Sequence, residues 1–299
     1  MDLNHTNLRT AGVGFKAAYN IGFHSVAPLW QRIATEVPST TSENEYGWLG
    51  AFPAMREWLG ERVINQIGTH DYTLKNRKFE STVAVLLDKL ADDNVGIYRP
   101  LMQGMGEAAA RHPDELVFEG LQAGFENTCY DGQNFFDTDH PVLGKDKQER
   151  SVSNLFGAED GFPAWYLMDT SRALKPLIRQ VRQKPEFAAL TDTSSDHVFN
   201  LDEVLYGVKS RENVGYGFWQ MAFASKQEFK ADNFAKMYTA MTSQTGDYGR
   251  KLALRPNVLL VPSVHEDAAK VLMSADKING EPNPHKGKVE VMVSPWLDS

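Results

Sequence analysis

Between Ile64 and Phe125 the apolar residues change their spacing, and that change fixes the fold class. Up to Val85 they alternate, in one run around Tyr72 and Leu74 and a second through Phe79, Val83 and Val85. Alternation is the period of a strand with one covered face. Beyond Val95 they recur every three or four residues. Leu101, Met102, Met105, Ala108 and Ala109 make one stripe, and Leu116, Val117, Leu121 and Phe125 make a second, as on a helix packed along its length. A chain carrying a long hairpin and then a long helix is α+β. The run Lys75-Asn76-Arg77-Lys78 divides the two strand-like runs and predicts the basic tip of a hairpin over residues 64–85. Such a hairpin must lie on something, because a lone one is marginal in water. Asp92, Asp93 and Asn94 predict the helix start, and Pro113 predicts a kink or a new start.

The flanking segments fill in the class. Residues 1–40 carry few periodic signals and predict an extended arm with a short helix around Lys16 to Tyr19. In EYGWLGAFPAMREWLGERV, residues 45–63, the apolar Trp48, Phe52, Met55, Trp58, Leu59 and Val63 fall at helical steps, and Pro53 suits a first turn, so a helix is expected over 53–60. Strands are expected on both sides of Pro176, with Pro176 and Pro185 at sheet edges. The stretch ending GYGFWQMAFAS is apolar on both faces and reads as a strand covered twice, with Gly215 and Gly217 marking a bulge or a close approach. DNFAKMYTAMTSQ predicts a helix buried through Phe234, Met237, Tyr238 and Met241. RPNVLLVP predicts a buried strand, and SVHEDAAKVLMS a helix with a Ser263/Glu266 capping box and a Val264, Ala268, Val271, Leu272 stripe.

Composition narrows function more than fold. A net charge of -8 with no long basic cluster excludes a protein that condenses nucleic acid by neutralising phosphates. No apolar run reaches the roughly 20 residues of a membrane span, and no basic stretch followed by an apolar core suggests a secretory signal. The one cysteine, Cys129, precludes an intrachain disulfide and reads as a small buried residue. The strongest chemical candidate is FDTDHP, where Asp137, Asp139 and His140, with Asp131 nearby, have the ligand types of a divalent-cation site; the competing reading is an Asp-rich turn bonded to its own backbone. No nucleophile elbow, phosphate loop, dinucleotide fingerprint or zinc spacing occurs. The residues predict no catalytic group, no cofactor and no resident metal.

Several unusual strings occur in one order: YGWLGAFPAMREWLGERVINQI, DYTLKNRKFESTV, DDNVGIYRP, ARHPDELVFEGL, CYDGQNFFDTDHPV, LKPLIRQVRQKPEF, NVGYGFWQMAFAS and RPNVLLVPSVHEDAAKVL. Together they resemble the major head (capsid) subunits of Mu-like phages and prophages, from about residue 46 to the C-terminus. The resemblance implies a Hong Kong 97-type capsid fold, with an arm over 1–55, an extended-loop hairpin over 56–90, a peripheral domain with a spine helix over 91–225 and an axial-domain segment over 226–299. It implies self-assembly into hexamers and pentamers of an icosahedral head that encloses double-stranded DNA without reading its sequence. It also implies a virion protein assembled in the bacterial cytoplasm, with no membrane, served by a separate scaffold, a maturation protease, a portal and possible decoration by another protein. A nanocompartment (encapsulin-like) shell and a metal-dependent enzyme at residues 137–140 are the alternatives.

On the capsid reading the assembly residues fall in two groups. Trp48, Phe52, Met55, Trp58 and Leu59 are expected as apolar anchors, because aromatic and Met side chains dominate interface energetics. Arg56, Glu57, Glu61 and Arg62 flank them and would set register across a seam. Tyr72 is expected at the assembly interface, and the tip residues Lys75, Asn76, Arg77 and Lys78 are expected to meet a neighbour's acidic surface; the spacing of Lys75, Asn76 and Lys78 specifies no covalent cross-link.

Overall fold

The computed structural model describes residues 5–47, 49, 72–92, 96–278 and 280–298. The expected helix over 53–60 lies outside these residues. Alternating β-prone runs pair into a four-stranded sheet in the order β1 (Ala34–Pro38), β9 (Leu177–Leu190), β10 (Glu203–Tyr216) and β4 (Arg77–Leu86). β1 runs parallel to β9, and the other neighbours are antiparallel. β1 covers β9 only as far as Val181, so Pro185 sits on an open edge where it withholds no ladder donor, close to a register shift in β10.

A helix pair packs on this sheet. α3 (Tyr98–Gln122) continues through Pro113, so no new helix starts there. The proline forfeits one backbone bond, and Ala109, Ala110, Leu116, Val117 and Phe118 are buried on both sides of it. Ile97, with no capping side chain, precedes α3; Asp92 instead closes the short α2 (Leu87–Ala91) by donating its N–H to Asp88 O. α1 (His5–Ser25) replaces the expected short helix and arm. It buries Leu8, Phe15 and Tyr19, and glycines let it approach α3 closely. A side chain on Gly22 would lie 1.9 Å from Gln103 O, and one on Gly106 2.0 Å from Tyr19 O. Gly106→Ala gains about 1 kcal/mol of helix propensity but drives a methyl into backbone. The net expectation is a loss of about 1–3 kcal/mol, measured by urea denaturation; unchanged stability would mean that the helices do not meet there.

The second sheet has the order β17 (Glu290–Val293), β14 (Val258–Val261), β8 (Trp165–Met168), β11 (Ala222–Ser225) and β7 (Leu155–Phe156). All residues of β8, β11 and β14 are buried, as continuous apolar strands require. α5 (Ala231–Ser243) buries Phe234, Met237 and Met241. α6 (Glu266–Ser274) is turned from the expected stripe: Ala269, Leu272 and Met273 face the core, while Val264 and Val271 are 70% and 55% exposed. No capping box forms, since Ser263 donates its N–H to Asp298 Oδ1.

Two-stranded pairs complete the fold: β2 (Glu43–Glu45) with β3 (Thr73–Lys75), β5 (His140–Leu143) with β6 (Glu149–Val152), β12 (Thr245–Gly246) with β13 (Arg250–Lys251), and β15 (Lys277–Ile278) with β16 (Glu281–Pro282). The six-residue α4 (Asp196–Leu201) lies between β9 and β10. The sheets cut across the expected linear division. β1, placed in an arm, and β4, placed in a projecting hairpin, both belong to the four-stranded sheet. The second sheet takes strands from 155–168, 222–225 and beyond 258, so a boundary at 225/226 runs through it.

Candidate assembly surfaces

The short strand pair β2–β3 brackets residues 46–72 in the sequence, and Tyr46, Leu49 and Tyr72 pack in or against the core. β2 and β3 align Glu43 with Lys75 and Glu45 with Thr73, and a buried amide fixes that base to the main sheet. Gln180 on β9 is fully buried; its Nε2 donates to Leu74 O (2.9 Å) and Asn76 Oδ1 (3.0 Å), and its Oε1 accepts from Tyr46 Oη (2.8 Å). Asn76 continues the network by donating Nδ2 to Ser39 Oγ (2.9 Å) and Thr41 O (3.0 Å). Tyr72 Oη accepts from Tyr216 N at 2.8 Å. This close approach explains Gly215, where a Cβ would fall 2.7 Å from Tyr72 Oη. Burial pushes the Tyr46 hydroxyl up to about 12 and Tyr72 higher still, so both remain protonated across the ordinary pH range.

The structure corrects the expected hairpin. β3 pairs with β2, and β4 pairs with β10 over its whole length, so Lys75, Asn76, Arg77 and Lys78 join two different strand pairs and form no tip. Asn76 is a linchpin of the base. Lys75 is exposed and its carbonyl accepts from Asn213 Nδ2 (2.7 Å), while the Arg77 guanidinium lies 5.1 Å from the Phe79 ring. Trp48, Phe52, Met55, Arg56, Glu57, Trp58, Leu59, Glu61 and Arg62 all lie outside the described residues.

The same sheet holds a charged cluster that sequence reasoning missed. Arg179 on β9 bonds Glu212 on β10 through Nε (2.7 Å) and Nη2 (2.5 Å), and Glu36 on β1 through Nη1 (3.0 Å). Glu212 is fully buried, and its other oxygen accepts from Ser210 Oγ (3.1 Å). The guanidinium also covers the Trp30 ring at 4.6 Å. One cation thus ties three strands and the first core aromatic together. Its signal was available: an arginine inside the apolar run LKPLIRQV must either reach the surface or meet a buried partner.

The Asp/His turn is a structural knot. Asp137 accepts from Thr138 N (2.7 Å) and Asn134 N (3.2 Å). Asp139 is solvent-exposed, and its hydrogen bond to Asp137 holds its carboxyl above the usual range. His140 turns away from both. Its ring is fully buried, stacked 3.9 Å from Trp219, with Nδ1 2.8 Å from Asp131 Oδ2 and Nε2 3.3 Å from Asn154 Oδ1. Asn154 Nδ2 donates to the carbonyls of Phe135, Trp219 and Ala222, which fixes its oxygen toward the ring. Among the described residues, the donor atoms that do gather within 4.8 Å are those of Cys129, Asp131 and His140. They already satisfy one another, since Cys129 Sγ donates to Asp131 Oδ1 (3.1 Å). Burial pushes that thiol well above its ordinary value, which keeps it protonated and makes it a poor ligand or nucleophile.

One further surface is largely apolar. A cavity of about 230 Å³ opens between α3 and the four-stranded sheet, lined by Phe79, Met105, His112, Pro185 and Val208. No helix among the described residues is long and apolar enough to cross a membrane.

Known proteins share this arrangement nearly end to end. The family model described as Mu-like prophage major head subunit gpT matches residues 8–297. The major capsid protein of Escherichia phage Mu is 41% identical over 99% of this chain and 100% of its own length. The Mu-like prophage FluMu major head subunit of Haemophilus influenzae is 45% identical over 87% of this chain and 86% of its own. Among solved structures, the procapsid of bacteriophage JBD30 superposes with a TM-score of 0.87 at 46% identity, covering 98% of this chain and 99% of that one. The JBD30 capsid gives 0.78 at 37% identity, covering 91% and 92%. The chain belongs to the Mu-like prophage major head subunit gpT family.

Proposed function

We propose that this major capsid subunit assembles into hexamers and pentamers that close an icosahedral head around packaged double-stranded DNA. The observation that carries the reading is the superposition on a procapsid subunit across almost the whole length of both chains. The four-stranded sheet with α3 takes the role of the peripheral domain, and the five-stranded sheet with α5 and α6 that of the axial domain. Trp48 and residues 50–71, bracketed in the sequence by the β2–β3 pair, act as the extended loop that overlies a neighbouring subunit. The rigid base at Gln180 and Asn76 favours this role, since a loop that must reach a neighbour needs a fixed point of departure. Trp48, Phe52, Met55, Trp58 and Leu59 are its anchors, and Arg56, Glu57, Glu61 and Arg62 set its register.

A scaffold, a maturation protease and a portal act on the same subunit during assembly. The JBD30 capsid carries minor capsid protein trimers, and a decoration protein of that kind fits the outside of this shell. The net charge of -8 suits a wall that holds DNA without gripping it.

Trp58→Ala tests the loop. The variant is expected to be soluble and folded by circular dichroism and to lose at least about tenfold in assembled fraction, because truncating a buried aromatic anchor removes 2 kcal/mol or more per contact. Sedimentation of protein co-expressed with its scaffold reads the result. Normal shell yield from Trp58→Ala would remove the anchor assignment.

A further inference from the structure

The five-stranded sheet has two chemically opposite ends. β8 runs from Trp165 to Met168, with Ser225 paired to Trp165 and with Ala222 and Val258 both paired to Met168. The loops therefore sort into two groups. At the Met168 end, Asp169 Oδ2 accepts from Arg255 N (2.9 Å), and Arg172 Nη2 donates to Leu252 O (2.6 Å), which docks the β12–β13 hairpin there. This end exposes Lys251 and Arg255 around Tyr248, which is 57% exposed. At the Trp165 end, His265 Nε2 lies 3.2 Å from Pro163 O, joining the loop before β8 to the start of α6. That end exposes Glu159, Asp160 and Asp267 around Phe162 and Val264.

We propose that the basic, Tyr248-bearing end of one subunit docks on the acidic, Phe162/Val264-bearing end of a second copy, forming the head-to-tail seam of a capsomer ring. This rests on the reading of the chain as a shell subunit. The occupant follows from charge. Each end complements the other and repels itself, so a two-fold contact that sets like ends together is disfavoured. A contact between different patches of identical subunits is heterologous and closes into a ring when the rotation per subunit permits. Tyr248 supplies an amphipathic anchor, and Phe162 and Val264 supply the apolar surface it covers. The inward turn of α6 also gains a purpose: Val264, left at the surface, belongs to a face that the neighbour buries.

Two charge-reversed chains test the seam. One carries Lys251→Glu and Arg255→Glu; the other carries Glu159→Lys, Asp160→Lys and Asp267→Lys. All five side chains are exposed, so each variant should melt as a folded protein. Each alone is expected to lose at least about tenfold in assembled fraction, since every seam then sets like charges together. Mixed in equal amounts, they regain complementarity only by alternating around the ring. Alternation closes six-membered rings but not five-membered ones, so the mixture should give tubes or open hexamer sheets in negative-stain micrographs and few closed shells. Wild-type yield from either variant alone, or no recovery on mixing, would overturn the seam while wild-type shells in the same preparation leave the shell reading standing. A wild type that does not assemble beside them would overturn both.

Discussion

Glu212→Ala is expected to lower the unfolding free energy by about 3–5 kcal/mol, among the largest single effects this fold allows. The side chain is fully buried and accepts two bonds from Arg179, which itself lies 5% exposed between β1, β9 and β10. Truncation leaves a buried guanidinium with Glu36, at its half-open edge, as its remaining ion-pair partner among the described residues. The cost is that of stranding a charge, not the net worth of the pair. Replacing both partners, Arg179→Met with Glu212→Leu, should therefore recover much of the loss, because a buried ion pair roughly breaks even against apolar residues of similar volume. Urea midpoints of the single and double variants make the comparison. A single variant within 1 kcal/mol of wild type would show that the cluster does not tie the sheet.

Asp131→Ala should cost about 1–3 kcal/mol, because His140 Nδ1 and Cys129 Sγ lose a buried hydrogen-bond partner, with a signature in pH. Burial alone would raise the Asp131 carboxyl, but the bond and charge of His140, with bonds from Cys129 Sγ and Gln133 N, outweigh it and hold it below its usual 3.8. A carboxyl depressed on folding contributes stability above its unfolded value and loses it as pH falls through the folded one. The wild type should thus lose this increment only below about pH 3.8, and Asp131→Ala should lack that component of the acid transition. Equal acid sensitivity in both proteins would assign the transition to other groups. The variant also separates the two readings of the turn. A structural knot loses stability, whereas a metal site would lose bound metal in elemental analysis of the wild type against the variant.

The sequence made the α+β class, α3, α5, β14 and the close approach at Gly215 legible, because each is written in large apolar side chains or in a glycine with one physical reason. Only the part of α1 around Lys16 to Tyr19 was legible, because its buried Leu8, Phe15 and Tyr19 are widely spaced among glycines and at Gly22 and Gly106 it meets α3 through backbone. The strand pairing around Lys75 to Lys78 was misread because alternation fixes the face of a strand and says nothing about its partner. β2 is polar, Glu-Asn-Glu, and gave no period at all, yet it is what closes residues 46–72. α6 was placed one helical step away because both of its faces carry apolar residues, and only the sheet beneath decides which is buried. His140 was correctly singled out and given the wrong partners. The polar residues beside it in sequence bond local backbone, while its true partners, Asp131, Asn154 and Trp219, come from other segments.

This subunit is expected to build a closed shell in which residues 50–71 lie on a neighbour. A cryo-electron microscopy reconstruction of particles from the wild-type chain co-expressed with its scaffold tests it most directly. The predicted map shows hexamers and pentamers, the β2–β3 base seated on its own four-stranded sheet, and density for residues 50–71 running over the adjacent subunit. Particles in which that segment packs back on its own chain, or a subunit that stays monomeric beside its scaffold, would contradict it.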